Sequence, residues 1–406
     1  MTPPSTDQRI IFALSSFAGL ISGADPGHDP EKLLYKRVMH KLKQYEAQLG
    51  KWDIVWGPCV VAPSTFYYPT NAMYVAQSAS DPANYVIAVA GTNPYSVFDW
   101  MIEDALVHAQ LPWLFDETGG AAISLGTGIG LAILLNMIPT VDRPGAGKTL
   151  RQFLFDIEDK NIILTTAGHS LGGALAPALG LWLMDIQRLW DPFKRAKLAS
   201  LPTGGPTAGN DVFAAYSDCK LPTSRWWNSL DVVPQAWNTR LLSRIPELYQ
   251  AMIPGDRSID VLIQWARDVS TKGSYTHIQS TAEAFEGDIN EGIIDPHRSP
   301  IDNFLGQVAY QHTAAYLNYF ALPGVNLAPL SGFMAQSKPV QLAVLERASN
   351  RSGIPIPSDL LDAAVESAPI TVPVAGKPVL LPESACDPAT RSLAQQVQTE
   401  LQKAAA

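Results

Sequence analysis

The sequence predicts an α/β protein with a mostly parallel central sheet flanked by helices. Three observations carry this. Residues 161–167 (NIILTTA) are a short unbroken apolar run, the kind buried on both faces of a parallel sheet. A long apolar helix pattern, residues 171–184, follows it after one tight bend. Residues 197–203 then read as the next strand and 226–230 as another, so strands and helices alternate.

In chain order, residues 10–24 are apolar and follow Arg9, as in the core of a secretory signal ending at Ser22-Gly23-Ala24. Asp7 offsets that charge, and Ile10, Leu14, Phe17 and Ile21 share one helical stripe, so a first core helix is the expectation. Residues 30–49 form an amphipathic helix with a basic outer face. Residues 72–90 read as a hairpin, with strands at 72–77 and 85–90 around a turn holding Asp81-Pro82. Asn93 suits a cap and Pro94 a first helical turn, so a short helix starts there. Residues 119–138 are about as long as a membrane span. Their five glycines and the polar Ser124, Thr127 and Asn136 favour a buried helix, and no transmembrane segment is expected. Residues 147–159 read as another amphipathic helix, and 240–275 as an insertion with two amphipathic segments. After about residue 325 prolines cluster (355, 357, 369, 373, 378, 382) and a polar helix closes the chain, the texture of an extension.

Composition narrows the function. Among 406 residues, 29 Lys and Arg face 38 Asp and Glu, and a net charge of −9 speaks against nucleic acid as a partner. Apolar residues make up 47% and charged ones 17%, enough for a large core with apolar surface left over for a greasy ligand, and too apolar for disorder. Cys59, Cys219 and Cys386 lie far apart without zinc spacing; they read as free thiols, which favours the cytoplasm over secretion.

Gly168-His169-Ser170-Leu171-Gly172 is a G-x-S-x-G match with an apolar strand before it and a helix after it. A serine on so sharp a strand-to-helix bend needs tiny residues two before and two after it. Gly173, Ala174, Ala176 and Ala178 then let the helix pack close to the sheet. The bend puts Ser170 at a helix N-terminus, where the N–H of Leu171 is free to stabilise an oxyanion. A serine hydroxyl needs a base to take its proton. His277, His297 and His312 follow it; His297 sits in an Asp-Pro-His-Arg turn and reads as solvated, and local chemistry does not rank the other two.

Further blocks, in order, give a resemblance. They are Ile87 through Thr92, Asp99-Trp100 with Asp104, Thr165 through Gly173, Gly204-Gly205-Pro206-Thr207-Ala208-Gly209-Asn210 with Phe213, Asn228 through Pro234, Tyr275 to His277, and His312 near Tyr316. Together they resemble the class 3, fungal-type lipases of the α/β-hydrolase fold. The resemblance spans about residues 70–320.

It implies a triad of Ser170, Asp231 and His312, with His277 a structural histidine, His169 packed behind the nucleophile, and Thr92 beside Leu171 as second oxyanion donor. It also implies a lid at about 93–105. The texture of the chain divides it into a catalytic domain over 1–325, in which the 240–275 insertion could add a cap, and a C-terminal extension over 326–406 packed on or near the core. From their own texture, residues 119–138 either line an acyl channel or form a plain core helix. The family usually has Arg before Gly-Thr where this chain has Ala90, which leaves Asp104 without its pairing partner. The activity implied is a serine lipase or esterase acting on acyl glycerols, with no metal or organic cofactor. Its partners would be a lipid or ester substrate and a transient lipid interface. Alternatives are a short-chain, feruloyl-type or phospholipase A1 esterase, and a catalytically silent binding protein.

Overall fold

A computed structural model describes residues 3–21, 29–61, 71–91, 107, 109–322 and 388–405. The first helix, α1 (Thr6–Ala18), is capped by Ser5 and Gln8, and its Phe12, Leu14 and Phe17 are fully buried, so this stretch of the apolar run after Arg9 belongs to the core. Helix α2 (Pro30–Gln44) buries Leu34, Val38 and Leu42 and breaks at Tyr45, before a single turn at Glu46–Leu49. Strands β1 (Trp52–Val61), β2 (Asn71–Ser78) and β3 (Asn84–Gly91) follow. The hairpin expected over 72–90 is the β2–β3 pair.

Next come β4 (Gln110–Pro112), β5 (Ala122–Ser124) and α3 (Leu125–Leu135), the buried helix expected within 119–138. Gly128 and Gly130 bring α3 against Leu111 and Leu175. Helix α4 (Leu150–Asp156) is shorter than expected over 147–159; it starts at a Thr149–Gln152 capping box. Then follow β6 (Ile163–His169), α5 (Leu171–Asp185), β7 (Lys197–Thr203), β8 (Gly209–Asn210) and α6 (Asp211–Lys220). The chain continues through α7 (Arg257–Ser270), β9 (Tyr275–Thr276), α8 (Pro300–His312) and α9 (Ala314–Tyr319). Helix α10 (Pro388–Ala405) is the closing helix; its Val397 and Leu401 are buried against the core beside α3.

The main sheet has the order β1-β2-β3-β6-β7. It is mixed rather than mostly parallel: β1–β2 and β2–β3 are antiparallel, β3–β6 and β6–β7 parallel. Connection length explains this. Five residues join β2 to β3, which permits only a hairpin, whereas the later strands are linked by long helical crossovers. Residues 226–230 contribute isolated parallel bridges, Thr203 to Trp226 and Asn228 to Phe285, not a strand, because the chain turns back at once and Asp231 N–H donates to the Asn228 carbonyl. A second, small sheet joins β4, β5, β8 and β9.

The two faces of the main sheet carry separate cores. Met73, Val75, Ile87 and Val89 pack with α3 and α5; Tyr74, Ala76, Val86 and Ala88 pack with α1 and α2. A third apolar cluster joins Val232, Trp237, Ile263 and Trp265 to Phe304 and Val308. Among the described residues no helix is long and apolar enough to cross a membrane. Cys59 and Cys219 are free thiols, and Cys386 lies outside the described residues.

Candidate active site

Strand β6 ends at His169 and α5 begins at Leu171, so Ser170 is the single junction residue. Its φ of 61° and ψ of −131° are a backbone state that costs a side chain of this kind energy. Two hydrogen bonds hold the bend: Ser170 N–H donates to Thr203 O (3.1 Å) and Gly173 N–H to Ser170 O (2.7 Å). A Cβ at Gly168 would lie 2.2 Å from Gly172 O, and one at Gly172 would lie 2.4 Å from Val89 O. The expected demand for tiny residues two before and two after Ser170 is thus met by backbone-to-backbone contact. Leu171 is the first residue of α5, so its N–H has no carbonyl one turn earlier to bond. Gly91, the end of β3, abuts the Leu171 side chain, 2.7 Å from its Cγ to a built Cβ. Thr92, Asp104 and the 93–105 segment lie outside the described residues.

The structure brings Asp231 and His312 together. His312 is the last residue of α8, and its Nδ1 donates to Asp231 Oδ2 at 2.8 Å. Both side chains are buried. That hydrogen bond leaves Nε2 as the lone-pair nitrogen, and Nε2 has no hydrogen-bond partner among the described residues. Asp231 Oδ1 accepts from Val233 N–H at 3.0 Å, so one carboxylate both caps a turn and orients an imidazole.

His169 and Tyr316 fix this pair from behind. His169 Nε2 donates to the carbonyl of His312 (2.7 Å), and the two rings lie 4.7 Å apart between centroids. Burial and the neighbouring His312 hold His169 well below the usual histidine range, so it stays a neutral donor. Tyr316 OH donates to Asp231 Oδ2 at 2.8 Å and accepts from Asn228 N–H at 3.1 Å. Burial, then Asp231, push its phenol well above its ordinary range, which keeps the donor proton in place. Asn228 Nδ2 donates to the carbonyl of Gln311, the residue before His312.

The remaining histidines fall elsewhere. His277 Nε2 donates to the Pro234 carbonyl, and burial with the nearby Arg225 lowers its pKa well below normal. His297 is exposed in its turn, as expected. In the sequence Tyr316 stands out only as a neighbour of His312. Its signal is an aromatic one turn beyond a histidine, and its role is hidden because the helix is interrupted at Thr313, between α8 and α9.

A family model described as Lipase (class 3) matches residues 142–240. The crystal structure of M37 lipase is similar at a TM-score of 0.70 with 31% identity, over 82% of this chain and 97% of that one. Lipase II from Rhizopus niveus is 20% identical over 59% of this chain and 78% of that one, with a TM-score of 0.40. A mutant form of MDLA from Penicillium cyclopium is 17% identical over 82% and 96%, with a TM-score of 0.41. No curated protein sequence matches the chain. On the match to M37 lipase along nearly its whole length, this chain belongs to the class 3 lipase family and is a lipase-type hydrolase of the α/β-hydrolase fold.

Proposed function

We propose that the protein is a serine carboxylic-ester hydrolase that cleaves acyl glycerols through an acyl-enzyme. Ser170 Oγ attacks the ester carbonyl while His312 Nε2 takes its proton, and the amides of Leu171 and Thr92 hold the developing oxyanion. His312 then gives the proton to the leaving glycerol oxygen, and water, deprotonated by the same nitrogen, clears the acyl group. Asp231 keeps the proton on Nδ1 and steadies the imidazolium.

One observation supports this reading above the others. The Asp231–His312 pair is 2.8 Å long, leaves a bare Nε2, and is tied by its carbonyl to His169, the chain neighbour of Ser170. In the same reading residues 1–325 are the catalytic unit, 93–105 its lid, 240–275 its cap and 326–406 an extension on that unit. Support for the lid and cap comes from Val107, just beyond the lid segment, which is buried in the cluster that holds Trp237, Ile263 and Trp265.

The test is active-site labelling with a fluorophosphonate, followed by a series of glycerol and p-nitrophenyl esters of increasing acyl length. Labelling is expected in the parent and absent in Ser170→Ala, with turnover down on the order of 10⁶-fold. Long-chain glycerides are expected to be cleaved faster above their solubility limit. Labelling that survives Ser170→Ala overturns the nucleophile, and turnover confined to short chains overturns the substrate class.

A further inference from the structure

Helix α2 is strongly basic within an acidic chain. Residues 30–44 hold Lys32, Lys36, Arg37, Lys41 and Lys43 against one acid, Glu31, while the whole chain carries −9. Glu31 is buried and accepts from Thr140 Oγ1 (2.6 Å), Thr140 N–H (3.2 Å) and Val60 N–H (3.4 Å), so it faces away from the lysines. Arg37 is turned onto the Leu20 carbonyl, and Lys41 onto Gln44 and the Tyr45 ring. Lys32, Lys36 and Lys43 are exposed, and none has an ion-pair partner among the described residues. With His40, also exposed, they fall within an arc of about 80° of the helix. Leu34, Val38 and Leu42 root the opposite face in the core, so this stripe always faces outward.

The stripe starts at the end of the sheet where Ser170 lies. The Glu31 contacts place the first turn of α2 at the Val60–Val61 end of β1. Val61 pairs with Asn71, Asn71 with Gly91, and Gly91 abuts Leu171. Three strand spacings, about 14 Å, therefore separate that strand end from β6, the strand that leads to the elbow. From there α2 runs back along the flank towards Trp52, whose indole N–H donates to Leu49 O.

We propose that this flank of α2 docks the enzyme on the anionic headgroups of a phospholipid surface, an assignment that rests on the lipase reading. An acidic protein is repelled by such a surface on most approaches. A local stripe of unneutralised lysines selects the one approach that is attractive, and its leading end brings the rim beside Ser170 to the lipid.

The experiment uses the full chain, with vesicles of phosphatidylcholine alone and of phosphatidylcholine mixed with phosphatidylglycerol. The parent is expected to co-sediment with the anionic vesicles and to be released by high salt. The triple variant Lys32→Gln/Lys36→Gln/Lys43→Gln is expected to lose on the order of 100-fold in partitioning, the matching Lys→Arg variant to bind like the parent, and both to turn over a soluble p-nitrophenyl ester at the parent rate. Equal binding of the parent to both vesicle types, or undiminished binding of the Gln variant, overturns the proposal. Retention on heparin without vesicle binding overturns the lipid assignment. Failure of the parent to cleave any ester while it still binds anionic vesicles sinks the lipase reading instead.

Discussion

The Asp231 carboxylate collects three donors: His312 Nδ1–H and Tyr316 OH on Oδ2, and Val233 N–H on Oδ1. Tyr316 also accepts the Asn228 amide, so its hydroxyl satisfies two buried groups at once. Tyr316→Phe keeps the ring and removes both bonds. It is expected to cost about 1–3 kcal/mol in urea denaturation, because a buried N–H loses its acceptor. If the hydroxyl also positions the pair, kcat falls roughly tenfold with KM unchanged, the equivalent of one misplaced hydrogen bond; a purely structural tyrosine leaves kcat alone. Residues of this kind separate what a sequence reveals from what it hides. Ser170 was legible because its steric demands are written in adjacent glycines. The choice between His277 and His312 was not legible locally, because each imidazole's partner, Pro234 or Asp231, lies about 40 or 80 residues away.

At the scale of elements, legibility followed continuity of pattern. The β2–β3 hairpin, β6 and α5 are built around apolar runs, and with β7 they stand where the sequence predicts them. Strand β1 was not announced, since Gly57-Pro58 interrupts it; an edge position and two register shifts around Trp56 absorb the interruption. Its antiparallel pairing with β2 has no signal in the sequence either. Helix α10 was expected only as a polar closing helix, yet Val397 and Leu401 are buried against the main core beside α3, which in turn packs through Gly130 on α5. Leu401→Ala is therefore expected to destabilise the main core by about 2–5 kcal/mol, seen as a lower Tm in one cooperative transition. An early separate transition, with the main one unmoved, would show that α10 is an appendage.

Two of the described histidines, His169 and His277, are buried in neutral form, and this couples the stability of the whole molecule to pH. Burial lowers both: His169 with help from His312, His277 with help from Arg225. In the unfolded chain each titrates near 6.5. Above that value neither state binds the proton and stability is flat. Below it the unfolded chain takes up two protons that the folded one refuses, so unfolding is favoured as the pH falls towards the depressed native values. The limiting slope is about 1.4 kcal/mol per pH unit for each histidine, about 2.7 for both. Ordinary carboxylates titrate near 4, below this window; Asp218, raised by burial, works against the loss as the pH falls. Urea denaturation at about pH 7.5, 6.5 and 5.5 should show little change over the first step and a clear loss over the second. His277→Gln keeps a donor for the Pro234 carbonyl and removes one titrating group, so its stability should depend on pH about half as steeply. A parent whose stability is unchanged down to pH 5.5 would mean that these imidazoles charge in place, and a charged His169 beside His312 is incompatible with a bare base on that ring.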